Sequence, residues 1–138
     1  MVAWDRNKVI NSKSNLEGAE LKSLDLSGLD LSKANLISAN LVSANLKEVS
    51  LAGANLFSAK AMRTDFSGAN LSGASFLKAN LTRANLHEAN LNDADLTGAN
   101  LAETNLENAD LIRAKLVEAN LLGANLIGAD FSLSLIHI

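Results

Sequence analysis

The sequence predicts a solenoid with a square cross-section, because three regularities run through most of the chain. A large apolar residue recurs every fifth position from Leu16 to Phe131, and a small residue stands two positions before it. The residue between them is mostly Asn or Asp, as in residues 34–46, which read ANLISANLVSANL. Internal repetition at a fixed period is typical of a solenoid.

A period of five suits neither regular secondary structure. In an α-helix, five residues turn about 140° past one full turn, so the leucines would spiral around the axis. In a strand they would alternate between the two faces. The 24 central positions nevertheless hold 20 Leu, three Phe and one Ala, and 18 of the 24 earlier positions hold Ala. The chain must therefore adopt a structure whose own repeat is five residues.

Each five-residue unit predicts a short extended piece followed by a corner. The large residue and the preceding Ala share the inner side, and the Asn or Asp between them points outward, where its side chain can bond to nearby backbone. The two residues after the centre, often Ser or Gly, form the corner. Four units close a square coil with the leucines inside.

The units ANLIS, ANLVS, ADLTG, ANLLG and ANLIG resemble the pentapeptide-repeat motif A(D/N)LXX. The match runs in one register over residues 14–132. This resemblance implies an all-β fold, a right-handed quadrilateral parallel β-helix with about six coils of roughly 20 residues, stacked about 4.8 Å apart. It also implies that the Leu and Ala series point inward and that the other three residues of each unit point outward.

Both ends depart from the repeat. Residues 1–13 lack its centres, and we expect Trp4, Val9 and Ile10 to cover the apolar end of the first coil. Residues 133–138, LSLIHI, match a translation of the transposon mosaic end used in sequencing libraries, CTG-TCT-CTT-ATA-CAC-ATC. We expect this segment not to be native and the natural reading frame to continue past residue 132, so His137 is not a candidate site residue. The alternative is a cap that pairs with the last coil.

Composition excludes several classes of function. The chain has no Cys, which rules out disulfides, thiolate metal sites and cysteine nucleophiles. Its net charge of −3, from 15 acidic and 12 basic residues, does not indicate direct nucleic-acid or membrane binding. No segment resembles a signal peptide or a membrane span. We expect a cytoplasmic protein without metal or cofactor.

One outward column suggests catalysis only superficially. Stacking at 20 residues aligns Ser67, His87 and Glu107, whose order invites a hydrolase interpretation. A flat wall without a pocket or oxyanion donors does not supply the rest of such a site. We therefore predict a solvated ladder and no enzyme activity in these residues. Besides the two hypotheses that follow, a third is that these repeats belong to a longer protein with an enzymatic domain.

An acidic band offers an alternative function. Between Arg83 and Arg113 stand six acidic residues and no basic one: Glu88, Asp93, Asp95, Glu103, Glu107 and Asp110. The resemblance implies that some relatives mimic duplex DNA and bind DNA gyrase, protecting it from quinolones. That role needs an anionic surface along the whole rod, whereas this band spans little more than one coil.

Outward apolar residues favour a protein-binding scaffold. Ile37, Phe57 and Leu77 fall in one column, with Val42 and Met62 in the next, which predicts an exposed patch for a protein partner or self-association. The alternative is that these ladders only stabilise stacking. A second set makes the last coil apolar on all four sides, and we expect further chain or a second subunit to cover it: Ile112, Val117, Leu122 and Ile127.

The core series contains one irregularity. The unit AKAMR places Ala61 where Leu is expected, and a Leu-to-Ala gap in a packed core costs about 2–5 kcal/mol. We expect Phe66 and its stacked neighbours to fill the space. A bend that forms a binding site is the alternative.

Overall fold

The computed structural model describes residues 3–136, and its repeating part is a square β-helix. Parallel bridges join residues 20 positions apart, from Glu20–Asn40 to Lys115–Leu135. One column of bridges runs through residues 20, 40, 60, 80, 100 and 120, which defines six coils. Coil 1 is 14–33, coil 2 is 34–53, coil 3 is 54–73, coil 4 is 74–93, coil 5 is 94–113 and coil 6 is 114–133. Side 1 begins each coil, and sides 2, 3 and 4 follow at five-residue intervals.

The coils are joined by a ladder of backbone hydrogen bonds. Leu36 N–H donates to Asn55 O at 2.8 Å, and Asn55 N–H donates back to Ala34 O at 2.9 Å. From Leu16 to Leu116, the large central residues of the core are at most 1% exposed. Most members of the Ala series are equally buried. Each side therefore contributes one large and one small residue to the interior, which explains the period of five.

Each corner is a β-turn with one residue at positive φ. Ala39 N–H donates to Leu36 O at 3.0 Å, and the residue between them at the third turn position, Ser38, has a φ of 56°. Positive φ at that position alone marks a type II turn, which favours glycine. All eight glycines of the chain occupy this position, and charged residues or Ser fill most of the others. The outward Asn supports the corner, since Asn35 Oδ1 accepts from Ile37 N–H at 3.2 Å.

The N-terminal residues form a short helix, α1 (Arg6–Asn11), that lies against coil 1. Asp5 caps it by accepting a hydrogen bond from Lys8 N–H at 2.8 Å. Val9 is fully buried and Trp4 packs partly buried against the core, whereas Ile10 is 41% exposed. The expectation that Ile10 covers the core was therefore wrong, because on a one-and-a-half-turn helix it points away from the face that Val9 buries.

An apolar groove of about 620 Å³ lies between coil 1 and the segment that precedes α1. Trp4, Ala19 and Leu24 line it, with Glu17 and Glu20 beside them. The indole of Trp4 is therefore at once a core contact and partly open to solvent, so its fluorescence reports on the state of the cap.

The surroundings of Ala61 favour packing compensation, which stays a prediction. The rings of Phe66 and Phe76 meet edge to face, with centroids 6.0 Å apart and an interplanar angle of 89°. Buried Thr64 donates its hydroxyl to Leu41 O at 2.7 Å. The ladder passes through this unit without interruption, since Ala61 N–H donates to Asn80 O at 2.7 Å. The unbroken ladder favours packing compensation over a bend.

Residues 133–135 continue the ladder in register past the end of coil 6. Leu116 N–H donates to Leu135 O at 2.7 Å, and Leu135 bridges to Lys115. Leu133 is 77% exposed and is the one large apolar residue at a corner with positive φ in the described part of the chain. The boundary at residue 132 remains a prediction, and His137 and Ile138 lie outside the described residues.

Candidate protein-interaction surface

The ladder brings the predicted apolar residues together in two columns. Ser38 N–H donates to Phe57 O and Ser58 N–H to Leu77 O, both at 2.9 Å, so consecutive coils of side 1 stack these corners. Ser43 N–H donates to Met62 O at 3.0 Å, which does the same on side 2. We use the name apolar patch for the five residues of these columns: Ile37, Val42, Phe57, Met62 and Leu77.

Every residue of the apolar patch is half-buried. The backbone ladder places each of these corners directly against the corresponding corner of the neighbouring coil. Ladder packing therefore accounts for part of their burial, as the alternative explanation holds. The accessible parts of the two columns flank side 2, whose outward residues Asn40 and Lys60 stand between them, and a partner could cover both columns together.

The second predicted set, at the last coil, divides into two pairs. Leu122 and Ile127 are 77% and 72% exposed, but Ile112 and Val117 are half-buried. The column of Ile112 continues into the next coil, where Arg113 N–H donates to Ser132 O at 3.0 Å, so further chain stacks on this position. That further chain or a second subunit covers Leu122 and Ile127 remains a prediction.

The Ser67, His87 and Glu107 column is formed, but its side chains do not make a relay. His87 Nε2 lies 3.4 Å from Glu88 Oε1, and Glu107 Oε2 accepts from Asn125 Nδ2 at 3.4 Å. The sequence predicted a flat wall here, but a shallow polar groove of about 340 Å³ runs beside His87 and Glu88. It lies where Gly68 lacks a side chain. Within residues 3–136, no cluster of His and carboxylate groups has the arrangement of a metal site.

Arginines partly neutralise the acidic band at two points. Arg83 Nε lies 3.0 Å from Glu103 Oε2. Arg113 makes a bidentate pair with Asp93 at 2.8 and 3.0 Å, and these hydrogen bonds lower the pKa of Asp93 and raise that of Arg113. Both pairs join residues 20 apart, so the stacking that forms the band also supplies its counter-charges.

A side-chain exchange in coils 4 and 5 was not foreseen. Asn92 Nδ2 donates to Asp110 Oδ2 at 2.9 Å, and Asn92 Oδ1 accepts from Ile112 N–H at 2.8 Å. Asn92 thus takes over the corner-supporting role that the regular pattern gives to Asp110, and Asp110 Oδ1 is buried without a hydrogen-bond partner. Nothing in the repeat pattern signals this exchange.

The geometry agrees with the comparisons to known proteins. The family described as pentapeptide repeats matches residues 12–37, 30–68, 62–98 and 94–132, in eight copies. The chain belongs to the pentapeptide-repeat family. The predicted fold class, a right-handed quadrilateral β-helix, is thereby confirmed. No curated protein sequence matches the chain significantly.

Solved pentapeptide-repeat structures show the same fold. HetL of the cyanobacterium Nostoc, described as involved in heterocyst differentiation regulation, is 35% identical over 87% of this chain and 69% of its own, with a TM-score of 0.56. A thylakoid-lumen protein of Arabidopsis thaliana is also 35% identical over 84% and 70%, with a TM-score of 0.53. Rfr23 of the cyanobacterium Cyanothece is 29% identical over 82% and 85%, with a TM-score of 0.54.

Proposed function

We propose that this pentapeptide-repeat protein is a non-enzymatic scaffold that binds a protein partner through the apolar patch. The observation that carries the proposal is the pair of half-buried apolar columns that flank side 2 in coils 2–4. A rigid ladder holds these residues at a fixed spacing, so a partner pays little for ordering them.

The alternatives have less support. Gyrase binding by DNA mimicry requires an extended anionic surface, whereas Asp93 and Glu103 are paired with arginines. Catalysis by the Ser67 column would need a hydrogen-bonded relay, and His87 instead faces Glu88. An enzymatic domain elsewhere in a longer protein would leave the scaffold role of these residues intact.

Location stays a prediction from the sequence. In the described residues, no helix has the length and apolar character needed to cross a bilayer. We infer a cytoplasmic site of action, and fractionation of cells that carry a tagged copy would test it.

Site-specific photo-crosslinking in cells of the source organism tests the scaffold role. Benzoylphenylalanine placed at Phe57 on side 1 probes the apolar patch, and the same residue at Ser67 in the corresponding corner of side 3 is the matched control. We expect discrete adducts at position 57 and none at 67.

A second pair of variants makes the test specific. Met62→Glu should abolish the adducts at position 57, and Ser72→Glu, on the opposite side of the same coil, should not. Circular dichroism verifies that every variant keeps the β-helix. Equal labelling at positions 57 and 67, or no adducts from folded protein, would overturn the proposal.

A further inference from the structure

The rod is electrically two-sided around the apolar patch. Sides 1 and 2 of coils 2–4 (residues 34–43, 54–63 and 74–83) contain four basic residues and no acidic one. We use the name basic face for this surface. Its exposed cations follow the two columns of the patch: Lys60, Arg63, Lys78 and Arg83.

The rest of the same three coils has the opposite sign. Sides 3 and 4 contain one basic residue, Lys47, and four acidic residues, which are Glu48, Asp65, Glu88 and Asp93. The basic face is also bounded along the rod. Glu17 and Glu20 lie on sides 1 and 2 of coil 1, and Asp95 and Glu103 lie on the same sides of coil 5. A net charge of −3 thus conceals a localised cationic surface.

Most of these cations have no carboxylate partner within residues 3–136. Arg83 pairs with Glu103 at 3.0 Å, but no ion pair in the described part of the chain involves Lys60, Arg63 or Lys78. Elsewhere on the rod, stacked residues of opposite sign do pair, as Arg113 and Asp93 show. Lys60, Arg63 and Lys78 are therefore exposed beside the apolar patch and can pair with the carboxylates of another molecule.

We propose that the apolar patch and the basic face together bind an acidic amphipathic segment of a partner protein. The inference rests on the proposed scaffold function and names the chemistry of its partner. The segment's apolar side chains would cover Ile37, Phe57 and Leu77, and its carboxylates would meet the flanking cations. Such charge complementarity selects partners and speeds encounter more than it raises affinity.

A nucleic acid fits this surface less well. Binding to single strands combines a cationic groove with aromatic platforms on which bases stack. Here Phe57 is the one accessible aromatic residue on the basic face, since Phe76 is buried in the core, and the other patch residues are aliphatic or Met. In an acidic amphipathic peptide, apolar side chains alternate with carboxylates. These groups match the aliphatic side chains and the cations that stand side by side on the basic face.

Fluorescein-labelled peptides test the inference by anisotropy. One probe alternates leucine with glutamate, and two others replace each glutamate by glutamine or by lysine. A poly-dT oligonucleotide is the nucleic-acid probe. We expect the glutamate peptide to bind about tenfold more tightly than the glutamine peptide, since each exposed ion pair adds a modest amount. Raising the salt concentration should narrow that difference.

Two charge reversals provide a matched comparison. Arg63→Glu lies on the basic face and should reduce binding of the glutamate peptide to the level of the glutamine peptide. Lys47→Glu changes the net charge equally on side 3 and should leave binding nearly unchanged. Equal affinity for the two peptides, no binding of the glutamate peptide, or oligonucleotide binding that Arg63→Glu abolishes would overturn the inference.

The inference can fail separately from the scaffold function. Adducts at Phe57 with a partner segment that lacks acidic residues would refute the acidic chemistry and leave the scaffold role standing. Absence of adducts would refute the scaffold role itself.

Discussion

The exchange of side-chain volume around Ala61 makes a quantitative prediction. Phe66 on side 3 and Phe76 on side 1 extend from opposite sides of the square, and side 2, which carries Ala61, lies between them. All three residues are fully buried. If the Phe66 ring occupies the volume that a leucine at position 61 would fill, restoring the repeat at one position alone should destabilise the fold. Restoring it at both positions should then cost much less than the sum of the two single losses.

The magnitudes follow from the packing. Ala61→Leu alone overpacks the core and should lower the free energy of unfolding by about 1–3 kcal/mol. Phe66→Leu alone loses the edge-to-face contact, worth roughly 0.5–1.5 kcal/mol, and leaves a small cavity, so the total is about 2 kcal/mol. In the double variant the new leucine fills the cavity, and only the ring contact is lost, about 1 kcal/mol. The expected coupling is therefore about 2–4 kcal/mol.

Urea unfolding followed by far-UV circular dichroism measures this cycle, and coincidence with the Trp4 fluorescence transition verifies two-state behaviour. Leu21→Ala, two coils away on side 2, combined with Phe66→Leu is the control and should be additive. A double variant whose loss equals the sum of the single losses within about 0.5 kcal/mol would refute the exchange of volume.

Four further predictions address the corners and the ends. Gly73→Ala should lower the free energy of unfolding by about 1 kcal/mol although no atom lies within 4 Å of the added carbon, because φ there is 65°; chemical denaturation measures this. Asp5→Ala removes the cap of α1 and should cost about 1 kcal/mol, with an earlier Trp4 fluorescence transition. Hydrogen bonds from Ser32 hold the pKa of Asp30 below its ordinary value of 3.8, so the stabilisation that they give is lost as the pH falls below that value. The variant Asp30→Asn should therefore unfold with less dependence on acid pH, which urea unfolding at several pH values measures. Light scattering should show self-association of the chain, reduced by Leu122→Glu, since that leucine is 77% exposed.

The sequence was sufficient for the fold because its signal is repeated in every unit. A single Leu at position 36 means little, but the same spacing carried to Phe131 excludes helix and strand together. The second corner position carries an equally clear signal in its glycines. All eight glycines stand two residues after a centre, which marks a required positive φ. The helix α1 was not anticipated, because its six residues are too few for a periodic signal.

The details of the site depended on side-chain orientation, which the repeat does not encode. The register correctly stacked Ser67, His87 and Glu107, but His87 turned towards Glu88 and Glu107 towards Asn125. The exchange between Asn92 and Asp110 likewise depends on local geometry, since both residues are ordinary members of their columns. Column membership follows from the period, whereas hydrogen-bond partners follow from rotamers chosen among several neighbours.

The geometry of the coil restricts where recognition can evolve. Of the five residues in a unit, the Ala and Leu positions are buried, and the Asn or Asp between them holds the corner through its side chain. The second corner residue must accept positive φ, so branched and bulky apolar side chains are costly there. Only the first corner residue is free of all these requirements, and it carries the apolar patch, from Ile37 to Leu77. The second corner residue tolerates long charged side chains such as Arg63. A coil of this kind can therefore vary its apolar groups at one corner position and its charge at the next without changing the residues that stabilise it.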